Sequence, residues 1–158
     1  MMNKLIVARI LHVFGVVLWI GGVSMVTTVL LPSIRDTYRV EDHLEVFERI
    51  EHRFARQARF TTLLTGISGF YMLYALDAWN RYTTPSFWWV HMMTITWLIF
   101  TIMLFVLEPM MLKRKLKERA YLAPAQTFAI IQHMHWFLLI LSLITIAGAV
   151  SGSHGWLL

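Results

Sequence analysis

The sequence predicts an all-α fold: one integral membrane domain, residues 1–158, built as a bundle of four transmembrane helices. Hydrophobic residues make up 58% of the chain and charged residues only 15%, whereas an average soluble domain has about 25% charged residues. The charges are also segregated, because four stretches contain no Asp, Glu, Lys or Arg: 10–34, 60–76, 82–107 and 120–158. A helix needs about 20 apolar residues to span a bilayer, so each stretch is assigned one span.

Helix-breaking and helix-capping residues set the predicted limits of the helices. Pro32 is expected to end the first helix, and Thr84-Pro85 starts the third with proline at its first position. Before the second span, apolar residues at helical spacing predict an amphipathic helix that continues into that span and lengthens it. The basic stretch after the third helix is expected to be a connector. The predicted helices are about 5–31, 41–77, 85–111 and 124–150.

Lysine and arginine residues predict the orientation. The segment after helix 1 holds six of them and the segment after helix 3 holds five, whereas the turn between helices 2 and 3 has Arg81 alone. Positive residues collect on the cytoplasmic side of a membrane. We therefore expect both basic segments, including the amphipathic extension before span 2, in the cytoplasm. Both termini would then lie on the periplasmic side of a bacterial inner membrane. The net charge of +5 is thereby explained without a nucleic-acid partner.

Two histidines inside the spans are the main candidate functional residues, because polar groups within a bilayer are costly and rare. At about 1.5 Å per residue, His12 lies roughly 10 Å along helix 1 and His91 about 9 Å along helix 3, both measured from the outer end. Two imidazoles at one level suit bis-histidine ligation of a haem iron. The sequence therefore predicts haem b with His12 and His91 as ligands, and hydrogen-bonded structural histidines are the alternative.

Residues close to His12 are predicted to contact the haem. Gly15 and Trp19 follow His12 on one helix face, where glycine would let a flat macrocycle approach the backbone; helix packing on small residues is the alternative. Arg9 suits the haem propionates, or it anchors the helix at the interface. The chain has no cysteine, which excludes covalent c-type haem, iron–sulfur clusters and thiolate metal sites.

A second haem site is considered in the cytoplasmic half of helix 4. His133 and His135 lie two residues apart and face different ways, so one of them at most would bind a given iron. His52 is the nearest partner, although it lies outside the apolar part of helix 2. One haem is expected, and a second stays open. His43 is expected to be solvated.

One carboxylate lies at the cytoplasmic end of helix 3. Glu108 is expected to be interfacial and paired with Arg49, Arg53 or Lys113. Proton uptake is the alternative for this residue.

Several short motifs resemble a known superfamily. They are Leu11-His12 through Trp19-Ile20-Gly21-Gly22, then Phe47-Glu48-Arg49-Ile50-Glu51-His52-Arg53 leading to Thr65-Gly66, and finally Trp89-Val90-His91. Over nearly the whole chain they resemble the small bacterial haem-binding membrane proteins that include the HemJ-type protoporphyrinogen oxidases and the CopD-like copper-resistance domains. The resemblance implies a b-haem ligand at His12. It aligns His91 with a lysine of the oxidases, which implies an electron-transfer relative.

These observations favour a b-type cytochrome that exchanges electrons with a quinone or a periplasmic redox partner, surrounded by membrane lipid. The protein would supply ligands and burial, while the haem supplies the redox chemistry. The alternatives are a membrane oxidoreductase that oxidises protoporphyrinogen, a copper transport or resistance module that uses the ten methionines, and a structural subunit of a respiratory complex. A homo-oligomer is compatible with each, and no catalytic residue is identified.

Overall fold

The computed structural model describes residues 2–156, except the side chains of 109–117, and no strand occurs in this part of the chain. The helices are α1 (Met2–Thr37), α2 (His43–Ala75), α3 (Trp88–Ile102), α4 (Lys113–Leu122) and α5 (Pro124–Ser153). A π-helical stretch, Met103–Leu112, joins α3 to α4. Short 3-10 turns precede α2 (Val40–Asp42) and α3 (Trp79–Tyr82 and Pro85–Phe87).

Three helices among the described residues are long and apolar enough to cross a membrane: Met2–Thr37, Pro85–Glu108 and Pro124–Ser153. The chain is therefore an all-helical, multi-pass membrane protein, and the predicted helical fold class is confirmed. The remaining long helix of the bundle is α2, which has 33 residues. Only its second half is free of charged residues. A fourth span through α2 and the side of each terminus stay predictions.

The structure differs most from the predicted helix limits in two places. α1 continues past Pro32 to Thr37, because a π-helical stretch, Val26–Leu30, ends just before it and leaves Pro32 in the first turn of a new α-helical segment. Proline costs little in a first turn, where its missing N–H needs no partner. The predicted connector after helix 3 is also helical, ending at Leu122. Lysine and arginine are good helix formers, so the charge of that stretch did not indicate a loop.

The long helices pack as an antiparallel bundle in which α1 lies along α2 and α3 lies along α5. Trp19 of α1 meets Phe100 of α3 edge to face at 4.8 Å across the centre. One end of the bundle holds both termini and is called the terminal end below. The other holds the charged segments 33–59 and 113–119 and is called the basic end. This register places every candidate residue at a defined level of the bundle.

Close approach of α1 and α2 depends on glycine. A Cβ atom on Gly15 would overlap Thr65, and one on Gly22 would overlap Phe54. Small residues let membrane helices pack backbone to backbone. At its terminal end α2 stops at Ala75, and Asp77 in the turn that follows has a φ of 48°, in the left-handed region that Asp tolerates better than most residues. The α1–α2 pair is thus a closely packed interface.

Candidate functional site

His12 lies in the interface between α1 and α2. Its Nδ1 atom is 2.9 Å from the backbone carbonyl oxygen of Thr65 and 3.3 Å from the hydroxyl of Ser68. A carbonyl oxygen only accepts hydrogen bonds, so Nδ1 donates, and the neutral ring keeps a lone pair on Nε2. Metal-binding histidines are commonly oriented by such a bond from the other ring nitrogen. The donor chemistry of His12 therefore fits an iron ligand that binds through Nε2.

Gly69 makes room for the His12 ring. A Cβ atom at this position would lie 3.2 Å from Cε1 of His12, which is closer than ordinary van der Waals contact. Sequence reasoning missed Gly69 and the two polar partners on α2. The Thr65-Gly66 motif was visible in the sequence, but its contact with His12 follows from the packing register of two helices.

His91 lies on the outer surface of α3. Its ring is exposed and meets the ring of Tyr82 edge-on, with centroids 5.3 Å apart. Nine residues separate it from Phe100, and at about 100° per residue this places His91 on the side of α3 opposite Phe100. Because Phe100 faces Trp19 in the bundle centre, the His91 ring points away from the centre.

The two predicted ligands share a level but not a direction. His12 is seven residues from Trp19, about 10 Å, and His91 is nine residues from Phe100, roughly 13 Å, both toward the terminal end. The described contacts of His12 are on α2, and that of His91 is on the turn before α3. The structure does not bring the two rings together within one copy of the chain, so their pairing stays a prediction.

The other residues predicted near the haem lie at three different positions. Gly15 is buried against Thr65, as expected for helix packing. Trp19 is 3% exposed and lies in the bundle centre. Arg9 is exposed, nearly one turn from His12 toward the terminal end. Of the three, Trp19 also lines a cavity that the sequence did not predict.

A cavity of about 80 Å³ lies in the half of the bundle toward the basic end. Its walls come from α1, α2, α5 and the end of helix 3, and they are mostly apolar, with several aromatic rings. The polar side chains among the lining residues are Trp19, Glu48, Glu51, Glu108 and His135. Glu48 and Glu51 were not among the residues predicted to line a site, because their direction depends on how α2 packs.

Of the three second-site histidines, His135 lines this cavity, and His52 and His133 are exposed. His133 and His135 thus face different ways, in agreement with their spacing. Nδ1 of His135 lies 2.9 Å from the Ile131 carbonyl oxygen and donates to it, which leaves the lone pair on Nε2. Among the described residues, no group of three or more His, Asp or Glu side chains could hold a metal ion.

Glu108 is buried, and Arg59 is its ion-pair partner. The shortest distance between them is 3.0 Å, and Arg59 also donates from Nε to the Leu104 carbonyl oxygen at 3.1 Å. The predicted partner Arg49 instead pairs with Glu45 on the surface of α2 at 2.8 Å. The side chain of Lys113 lies outside the described residues. Which arginine of α2 faces helix 3 depends on helix rotation, and the sequence does not contain that information.

His43 was expected to be solvated, and this is wrong. It is 4% exposed, its Nε2 lies 3.0 Å from the Tyr38 carbonyl oxygen, and its ring packs on Phe128 of α5 at 4.7 Å. The 3-10 turn before α2 folds the start of that helix against α5, which covers the ring. His43 therefore has a structural role.

No protein-family model, curated protein or solved structure matches this chain. Its function has to be inferred from the contacts of its own residues.

Proposed function

We propose that this chain is a b-type haem protein of the bacterial inner membrane that transfers electrons, with His12 as an iron ligand. The hydrogen bond from His12 Nδ1 to the Thr65 carbonyl oxygen carries the proposal, because it orients the ring and leaves Nε2 free to bind. Haem, when bound, supplies one-electron chemistry between ferric and ferrous iron. Thr65 and Ser68 of α2 would orient the ring of this ligand.

The membrane topology is part of the proposal, with α2 as the fourth span. Phe60, Ile67 and Tyr74 of α2 are 68%, 69% and 73% exposed. Their seven-residue spacing puts them on one helix face. A stripe of exposed apolar residues along a charge-free helix half is what lipid contact requires. The basic end would then face the cytoplasm and the terminal end the periplasm.

His91 is the proposed second ligand, and its direction sets a condition. Both imidazoles reach one iron within one copy only if α3 turns by about half a revolution about its axis. Ligation by His12 alone needs no such rotation. The described residues add no specific observation for protoporphyrinogen oxidation or copper transport.

The test is the spectrum of the protein purified from haem-replete cells. We expect a reduced-minus-oxidised difference spectrum of haem b and about one haem per chain by the pyridine haemochrome assay. His12→Ala should lose it, and His133→Ala, an exposed histidine, should keep it. His12→Gly with added imidazole should regain the spectrum, which separates ligand loss from misfolding. A colourless wild-type protein, or an unchanged His12→Ala spectrum, overturns the proposal.

A further inference from the structure

Two arginines of α2 have no carboxylate partner in the part of the chain that the structure describes. Arg53 and Arg56 are exposed, and the side chain of neither makes a hydrogen bond or an ion pair with another described residue. The other arginines of segment 33–59 differ, because each lies within 3.5 Å of a carboxylate: Arg35 of Asp36, Arg39 of Glu41, Arg49 of Glu45 and Arg59 of Glu108. The unpaired cations therefore belong to one place on α2.

This place adjoins the apolar face of α2 that is proposed to contact lipid. Phe60, Ile67 and Tyr74 are the most exposed residues of that face. Arg53 precedes Phe60 by seven residues, which is two helical turns, and Arg56 precedes Ile67 by eleven residues, which is three turns. Both guanidinium groups therefore lie on the same side of α2 as the apolar stripe, at its end toward the basic end of the bundle.

The height of the two arginines fits the headgroup layer of a bilayer. The charge-free part of α2 begins at Phe60, so Arg56 lies about 6 Å and Arg53 about 10 Å outside it along the helix. The polar layer on each side of the hydrocarbon is about 5–8 Å thick. Arginine has a long, flexible stem, and this lets both guanidinium groups reach the level of the lipid phosphates.

The carboxylates in this part of α2 point elsewhere. Glu48 and Glu51 line the cavity on the inner side of the helix, and Glu45 is paired with Arg49 at 2.8 Å. The outer face next to the apolar stripe is therefore positively charged, and it is complementary to an anionic headgroup with acyl chains attached.

We propose that Arg53 and Arg56 bind the headgroup phosphate of an anionic phospholipid whose acyl chains lie along Phe60, Leu63 and Ile67. A guanidinium group binds phosphate oxygens through two parallel N–H donors, and an anionic membrane surface attracts basic residues beside a span. This inference rests on the proposed fourth span through α2, and it does not depend on haem.

The first test measures which lipid the full chain retains. Native mass spectrometry from micelles with equal amounts of phosphatidylglycerol and phosphatidylcholine should show preferential retention of phosphatidylglycerol. Arg53→Gln/Arg56→Gln should reduce this preference, by about fivefold for each arginine. The charge-matched control is Arg35→Gln/Arg49→Gln, whose arginines are exposed and already paired, and it should keep the preference. No preference in the wild-type protein, or an equal loss in both double variants, overturns the inference.

The second test separates this inference from the fourth span. The photoreactive residue benzoylphenylalanine in place of Ile67 should cross-link to phospholipid in the membrane. If lipid is cross-linked there but Arg53→Gln/Arg56→Gln keeps the wild-type preference, the inference is overturned and the fourth span stands. If no lipid is cross-linked, the fourth span is overturned and the inference with it. A protein that retains the lipid but contains no haem overturns the haem proposal alone.

Discussion

His12 and Thr65 are 53 residues apart in the chain and are joined by a 2.9 Å hydrogen bond from the imidazole Nδ1 to the backbone carbonyl oxygen. The bond connects two of the sequence motifs, one on each of two antiparallel helices. A backbone acceptor cannot be removed by substitution of the Thr65 side chain. Changes to the space around the ring are therefore the way to test its orientation.

Gly69→Ala is expected to weaken haem binding. The new methyl would lie 3.2 Å from His12 Cε1, so the ring must shift, and disturbing the residues that orient a ligand typically costs about 10–100-fold in affinity. The measurement is the rate of haem transfer to an apoprotein acceptor. Gly21→Ala is the matched control, because no atom lies within 4 Å of its added methyl. Equal rates for the two variants would show that Gly69 does not support the ligand.

Arg59→Met is expected to destabilise the protein strongly. It would leave the carboxylate of Glu108, 9% exposed, without its 3.0 Å ion-pair partner, and breaking a buried pair costs about 3–5 kcal/mol. Thermal unfolding in detergent measures the loss. Arg49→Met breaks an exposed pair with Glu45 and should cost less than about 1 kcal/mol. The double variant Arg59→Met/Glu108→Gln should recover much of the stability that Arg59→Met loses. If the stability losses of the two single variants simply add in the double variant, the two side chains do not interact.

The four-span topology can be tested by labelling, because the chain has no cysteine of its own. With a membrane-impermeant maleimide added to intact cells, Asn80→Cys should react, and Glu41→Cys should react only after the membrane is permeabilised. Ile67→Cys, in the middle of α2, should stay unlabelled in both cases, since thiols in lipid do not ionise. Labelling of both Asn80→Cys and Glu41→Cys in intact cells would show that α2 does not cross the membrane.

His91→Ala is expected to retain the haem while changing its spin state. If His12 and His91 both hold the iron, loss of His91 would leave it with one protein ligand and give a high-spin spectrum. Electron paramagnetic resonance of the ferric protein measures this. His154→Ala, an exposed histidine of the C-terminal turn, is the control. An unchanged low-spin signal in His91→Ala would assign the second ligand to another residue.

The sequence was sufficient to predict the helical class, because long apolar stretches without charge indicate membrane helices, and the expected level of the candidate ligands follows from the rise per residue. The contact between Trp19 and Phe100 agrees with the expected depth match of His12 and His91. The direction in which a side chain points around its helix axis was not predictable in the same way. The outward ring of His91, the partner of Glu108 and the burial of His43 all depend on how neighbouring helices rotate against each other.

Arg59 of α2 makes a hydrogen bond with Leu104 and an ion pair with Glu108. These contacts have a consequence for the surrounding lipid. They fix the height of α2, whose charge-free helical part, residues 60–75, rises only about 24 Å, several ångströms less than the ~30 Å hydrocarbon thickness of a typical bilayer. A helix held at one end cannot slide to relieve this mismatch. With α2 as the proposed fourth span, acyl chains beside it would have to shorten or compress, and short-chain phospholipids should accommodate the protein better.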